Sequence, residues 1–139
     1  MSGSELRPHH VVLDREYDGT TSTLRAARTD MVACLNRENL NEDLLERAEL
    51  VLSELASNAV QASPGNPYKL RLALAADGSL VMALTSHTCN GGPPPRRPWG
   101  PSFVLAPSGR GLMIVDALSD RVNVQRPAED TVVVTATLR

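Results

Sequence analysis

The chain has 139 residues, 42% hydrophobic and 22% charged, which fits one soluble globular domain and is too short for two ordinary ones. Its 14 basic and 16 acidic side chains leave a net charge of −2, which argues against a nucleic-acid binder, since that needs a basic excess to neutralise phosphates. No apolar run approaches the roughly 20 residues of a membrane span, so the sequence reads as cytoplasmic without membrane contact, and Cys34 and Cys89 are expected to be free thiols.

Residues 1–8 are polar and read as a flexible N-terminus, so the folded domain is expected over 9–139. A short strand is predicted from His10 to Leu13. After the turn-forming Asp18-Gly19, Thr20 to Thr23 offers N-cap candidates for a helix running to about Arg37, with Leu24, Ala27, Met31 and Leu35 on one face. Asn41 is predicted to cap a second helix. Glu42 and Asp43 occupy its first turn, where the helix dipole favours negative charge, and Pro64-Gly65-Asn66-Pro67 ends it near Ser63.

Two strands follow, Tyr68 to Ala75 and Leu80 to Thr85, joined by a turn around Asp77-Gly78, a strong hairpin signal. The stretch 86–108 holds six of the ten prolines and is not expected to form helix or strand. Composition alone leaves a binding lid and a plain surface excursion both open. Gly109-Arg110-Gly111 then opens a helix over Leu112 to Leu118. Strands Val122 to Gln125 and Thr131 to Leu138 complete the chain. This order predicts a two-layer α+β sandwich, with helices on one face of a mixed, mostly antiparallel sheet.

The second helix carries the first chemical signal. Leu45, Ala48, Leu52, Leu55 and Ala59 form its core stripe, and Glu46, Glu49, Ser53 and Ser57 its solvent stripe. Glu54 and Asn58 lie on a third stripe, beside Leu50, Val51 and Ala62. Four residues apart, they project together. An amide oxygen is a hard ligand suited to Mg²⁺, and a carboxylate one turn earlier can accept a proton from an attacking hydroxyl. Two ordinary polar residues on a helix border would give the same pattern. Gly109-Arg110-Gly111 supplies a complementary part: glycines that let a ligand approach, a cation, and the free N–H groups of a helix start.

Together these segments carry a resemblance. Ser53-Glu54-Leu55-Ala56-Ser57-Asn58-Ala59-Val60 resembles the N-box of the GHKL (Bergerat-fold, histidine-kinase-like) ATPases, in the form found in their small anti-sigma-factor serine kinases. Gly109-Arg110-Gly111-Leu112-Met113-Ile114-Val115 resembles the G2 box, and Thr131-Val132-Val133-Val134 the last strand. Leu24-Arg25-Ala26-Ala27-Arg28 matches the usual opening helix, so the likeness runs from about residue 9 onward.

The resemblance implies a Bergerat fold that binds ATP with Mg²⁺. Asn58 would take the metal and Glu54 would be the catalytic base. Gly109, Arg110, Gly111 and Leu112 would sit at the phosphates, Ser86 at the base, Thr131 would be a further nucleotide-binding residue, and 86–108 would form the ATP lid. It also implies a protein serine/threonine kinase that regulates transcription, acting on an anti-anti-sigma partner, binding a sigma factor and forming a homodimer.

The chain departs from the family pattern at the G1 box, whose Asp accepts a hydrogen bond from the adenine amino group. Ser86 stands at that position, followed by His87, a candidate for stacking on the base. A neutral acceptor is weaker than a charged one. Ala62-Ser63 replaces the usual His-Ala/Gly after the N-box, and Asp130 precedes Thr131. Two readings follow: a working kinase, or a degenerate protein-binding module with weak or no nucleotide binding.

Overall fold

The computed structural model describes residues 10–87 and 111–139, and of Gly111 and Leu112 the backbone only. Residues 1–9 and 88–110 lie outside it, and with them Cys89, Gly109, Arg110 and all of the expected lid beyond His87.

The elements in chain order are β1 (His10–Tyr17), α1 (Ser22–Asn36), α2 (Glu42–Ala62), β2 (Tyr68–Leu74), β3 (Leu80–His87), α3 (Gly111–Leu118), β4 (Arg121–Ala128) and β5 (Thr131–Leu138). The strands form one sheet in the order β1-β2-β3-β5-β4. Every pairing among the described residues is antiparallel, so no parallel pair makes the sheet mixed. β3 and β4 nevertheless run in the same direction, since each is antiparallel to β5 between them. The connection through α3 is therefore a split β-α-β crossover.

Alternation sets the two faces of the sheet. Leu70 and Leu72 on β2, Leu80, Met82 and Leu84 on β3, and Val132, Val134, Ala136 and Leu138 on β5 are buried. They pack against Ala27, Met31 and Leu35 of α1, the apolar residues of α2, and Val115 of α3. The opposite face carries Ala73, Val81, Ala83, Thr135 and Thr137, and no described helix covers it.

Three strands are longer than the sequence predicts; β3 runs to His87, because Ser86 and His87, expected outside any strand, pair with Val132 and Thr131 of β5. β1 continues through Asp14-Arg15-Glu16 because it is an edge strand whose charges find partners. Lys69 reaches Asp14 at 3.6 Å, and Arg15 reaches Asp30 of α1 at 3.0 Å. β4 extends to Ala128 through Pro127, which the other edge tolerates beside a register shift between Gln125 and Ala128.

Local signals fix the helix ends and turns. Asn41 caps α2 as predicted, its Oδ1 accepting from the Leu44 N–H at 2.7 Å. At α1 the capping threonine, Thr21, makes no side-chain cap bond. Thr23 instead donates to the carbonyls of Asp18 and Thr20, and its hydroxyl lies 2.9 Å from that of Tyr68. In the β2–β3 hairpin Gly78 adopts φ +89°, and the Ser79 N–H donates to Asp77 Oδ1. The neighbouring Ser79 hydroxyl first, and that backbone bond second, hold the Asp77 carboxyl below its usual range.

Gly19 marks a close approach of two turns. A Cβ there would lie 2.1 Å from the Asn66 carbonyl oxygen, and the Gly65 N–H donates to the Gly19 carbonyl at 2.8 Å. Beside it Tyr17 stacks on Tyr68, with ring centroids 5.6 Å apart, and donates to Asp30 at 2.7 Å. Burial first, and the Asp30 bond second, push the Tyr17 phenol above its ordinary range. Cys34 is a free thiol. No described helix is long and apolar enough to cross a membrane.

Candidate functional site

Four element ends meet at one end of the sheet. His87, the last residue of β3, pairs with Thr131, the first of β5. Ser63, which closes α2, is buried and donates its hydroxyl to the His87 carbonyl, so α2 also ends there. α3 packs along α2. At the far end of this packing, Arg47 near the start of α2 donates to the Leu118 carbonyl. α3 therefore runs back against α2 and aims its first turn, beginning at Gly111, toward the half of α2 that holds Asn58.

Asn58 is the unusual residue of this corner. Only 2% of it is exposed, and neither Oδ1 nor Nδ2 has a hydrogen-bond partner among the described residues. Buried amides are almost always paired, and an unmet one costs about 1–3 kcal/mol. A buried amide left unmet in this way is free to bind a polar ligand. Glu54, one turn earlier on the same stripe, is half-buried and makes no ion pair or hydrogen bond among the described residues.

The helix-wheel stripe is broader than a single core face. Leu45 is only half-buried, whereas Leu44, Val51, Ala56 and Val60 are buried. The cause is that α2 is covered on three sides, by the sheet, by α1 and by α3. This same covering carries Asn58 into the interior.

Ser86, expected at the base, and Thr131, expected to bind the nucleotide, fall on different faces of the sheet. Ser86 follows Leu84 in the helix-facing row and pairs across to Val132. Thr131 and His87 point the other way: the Thr131 Oγ1 lies 3.4 Å from His87 Nδ1 and donates to Asp130 Oδ1 at 3.1 Å. His87 thus turns its ring away from the face that Asn58 and Ser86 share. Gly109 and Arg110 lie outside the described residues, as does the Leu112 side chain. Ser63 was marked in the sequence only as a departure after the N-box. Its tie to the backbone of β3 depends on tertiary placement that no local signal encodes.

A profile of the histidine kinase-like ATPase domain matches residues 18–137, nearly the whole chain. The chain belongs to that family. The crystal structure of the RsbU and RsbW domains of Rv1364c from Mycobacterium tuberculosis is similar in fold, with a TM-score of 0.67 at 18% identity. The match covers 96% of this chain and 32% of that one, so this histidine kinase-like ATPase domain spans about a third of that larger chain. No curated protein matches the sequence. The three helices over one face of an open antiparallel sheet are the fold that the resemblance implied.

Proposed function

We propose that this histidine kinase-like ATPase domain is an ATP-dependent serine/threonine protein kinase of the anti-sigma-factor type, acting in the cytoplasm on an anti-anti-sigma partner and binding a sigma factor. The observation that carries the nucleotide part is the buried amide of Asn58, which has no partner among the described residues. No described cluster of three His, Cys, Asp or Glu could hold a metal alone. The buried, unpartnered amide oxygen of Asn58 fits the alternative, a single hard protein ligand of the kind Mg²⁺ takes. Asn58 would hold a magnesium ion, which would supply positive charge against the phosphate charge that develops during transfer.

In this reading Asn58 Oδ1 ligates the metal. The backbone N–H groups at the start of α3, with Gly109, Arg110, Gly111 and Leu112, hold the phosphates. Ser86 contacts the base from the end of β3, Thr131 takes part in binding the nucleotide, and residues 88–108 form the lid. Glu54 accepts the proton of the partner's serine hydroxyl as that oxygen bonds to the γ-phosphorus. The bond to the β-phosphate oxygen breaks, and ADP leaves.

The expected homodimer is assigned to the uncovered sheet face, where Arg71, Ala73, Val81 and Ala83 line a shallow groove. The reading is tested by calorimetry with Mg·ATP on the native chain and Asn58→Ala. Heat with the native chain alone is expected, and no heat from either at millimolar ATP overturns the kinase.

The degenerate-module reading draws on Ser86, which brings no charge to the base. It predicts partner binding that is indifferent to ATP. Phosphate transfer to the partner's serine, lost in Glu54→Ala, would exclude it.

A further inference from the structure

The end of β3 bears on which base is taken, an inference that rests on the nucleotide-binding reading above. Ser86 ends the helix-facing row Leu80, Met82, Leu84, and its backbone is paired with Val132. Its side chain is half-buried, and its hydroxyl has no partner among the described residues. The described residues that flank it on this face, Leu84, Val132 and Ser63, are uncharged. The Ser63 hydroxyl is already committed to the His87 carbonyl. The acid of the neighbouring turn, Asp130, is held by Thr131 on the other face. A ligand at this end of the cleft therefore meets one free hydroxyl in apolar surroundings, and no carboxylate.

The chemistry of that hydroxyl differs from that of an acid in one decisive respect. A carboxylate only accepts, so it favours a purine with an amino group at C6 and repels one with an oxo group there. A hydroxyl carries one donor and two acceptor lone pairs, and it rotates to suit its partner. It can accept from the amino group of adenine or donate to the carbonyl of guanine, and both are neutral bonds of similar strength. We infer that Ser86 is a specificity-determining residue that makes this site accept 6-amino and 6-oxo purine nucleoside triphosphates alike.

The test is calorimetry of the full chain with Mg·ATP and with Mg·GTP, in the native form and as Ser86→Asp and Ser86→Ala. The native chain binds both within about tenfold of each other, the span of one neutral hydrogen bond. Ser86→Asp tightens ATP and weakens GTP, separating them by about a hundredfold. Ser86→Ala weakens both together, and it serves should the Asp variant fail to fold. A native preference for ATP beyond about a hundredfold overturns the inference while leaving the nucleotide site standing. So does an ATP-to-GTP ratio that Ser86→Asp leaves unchanged. Heat from neither nucleotide overturns the nucleotide reading and this inference with it.

Discussion

Ser63 donates its hydroxyl to the backbone carbonyl of His87, and that bond ties the end of α2 to the end of β3. Helix and strand contribute Asn58 and Ser86, so the bond sets the separation of the two polar groups that a ligand would meet. Ser63→Ala leaves a buried carbonyl without its side-chain partner. The variant should lose about 1–2 kcal/mol, read as a lower urea midpoint with unchanged slope. An unchanged midpoint would show that the tie does not hold the corner.

Asn58→Leu separates stability from ligand binding. The unpartnered amide destabilises the empty protein, so an apolar side chain of similar volume should stabilise it by about 1 kcal/mol, a rise of about 2–6 °C in Tm. The same variant should show no further rise with Mg·ATP, whereas the native chain should. A drop in the Tm of the empty variant would mean that the Asn58 amide is already satisfied without ligand.

Gly19→Ala should be among the most damaging small changes. Its new methyl would meet the Asn66 backbone, and backbone cannot swing aside as a side-chain tip does. About 2 kcal/mol or more is expected from thermal unfolding, against about 1 kcal/mol for Gly78→Ala, where only the positive φ is strained.

Tyr17 gives the protein an alkaline limit. Its pKa is raised in the folded state by burial and then by Asp30, while the nearby Arg15 opposes the shift. The contribution is therefore fully present below about pH 10, the unfolded value, and is lost as pH rises toward the folded pKa. Tyr68 is shifted the same way by burial. Stability should fall above about pH 10, and less steeply in Tyr17→Phe, followed by phenolate absorbance alongside circular dichroism. Equal slopes would remove Tyr17 from this role.

Ala83→Arg places a long cation on the uncovered sheet face. Sedimentation equilibrium should show the native chain as a dimer and this variant as a monomer with an unchanged fold. A native monomer at all concentrations would leave the face without the assigned role.

Most of the fold was legible because it follows local rules. Asn41 as a cap, the Asp77-Gly78 hairpin and the alternation along β5 each act through neighbouring residues, and each was readable. Errors arose where tertiary partners override local character. Asp14 to Glu16 read as the end of a strand because their ionic partners lie on β2 and α1. Leu45 read as core and Val51 as border because the wheel assumes one buried face. Glu54 and Asn58 were found as a pair by spacing. The burial of Asn58, and the opposite faces taken by Ser86 and Thr131, depend on helix packing and strand register.

The place of β5 between β3 and β4 also sets the order in which the corner can come into being. β4 is synthesised first but has no sheet neighbour until β5 arrives to bridge it to β3. A growing chain can pair β2 with β3 as a hairpin, add β1 across the two intervening helices and pack α3 on α2, yet it must leave β4 without a strand partner during that time. The proposed ligand-binding end, where Ser86 of β3 pairs with Val132 of β5, is completed only when β5 has joined the sheet. A chain stalled before Thr131 would carry Glu54 and Asn58 on an intact helix and still have no site.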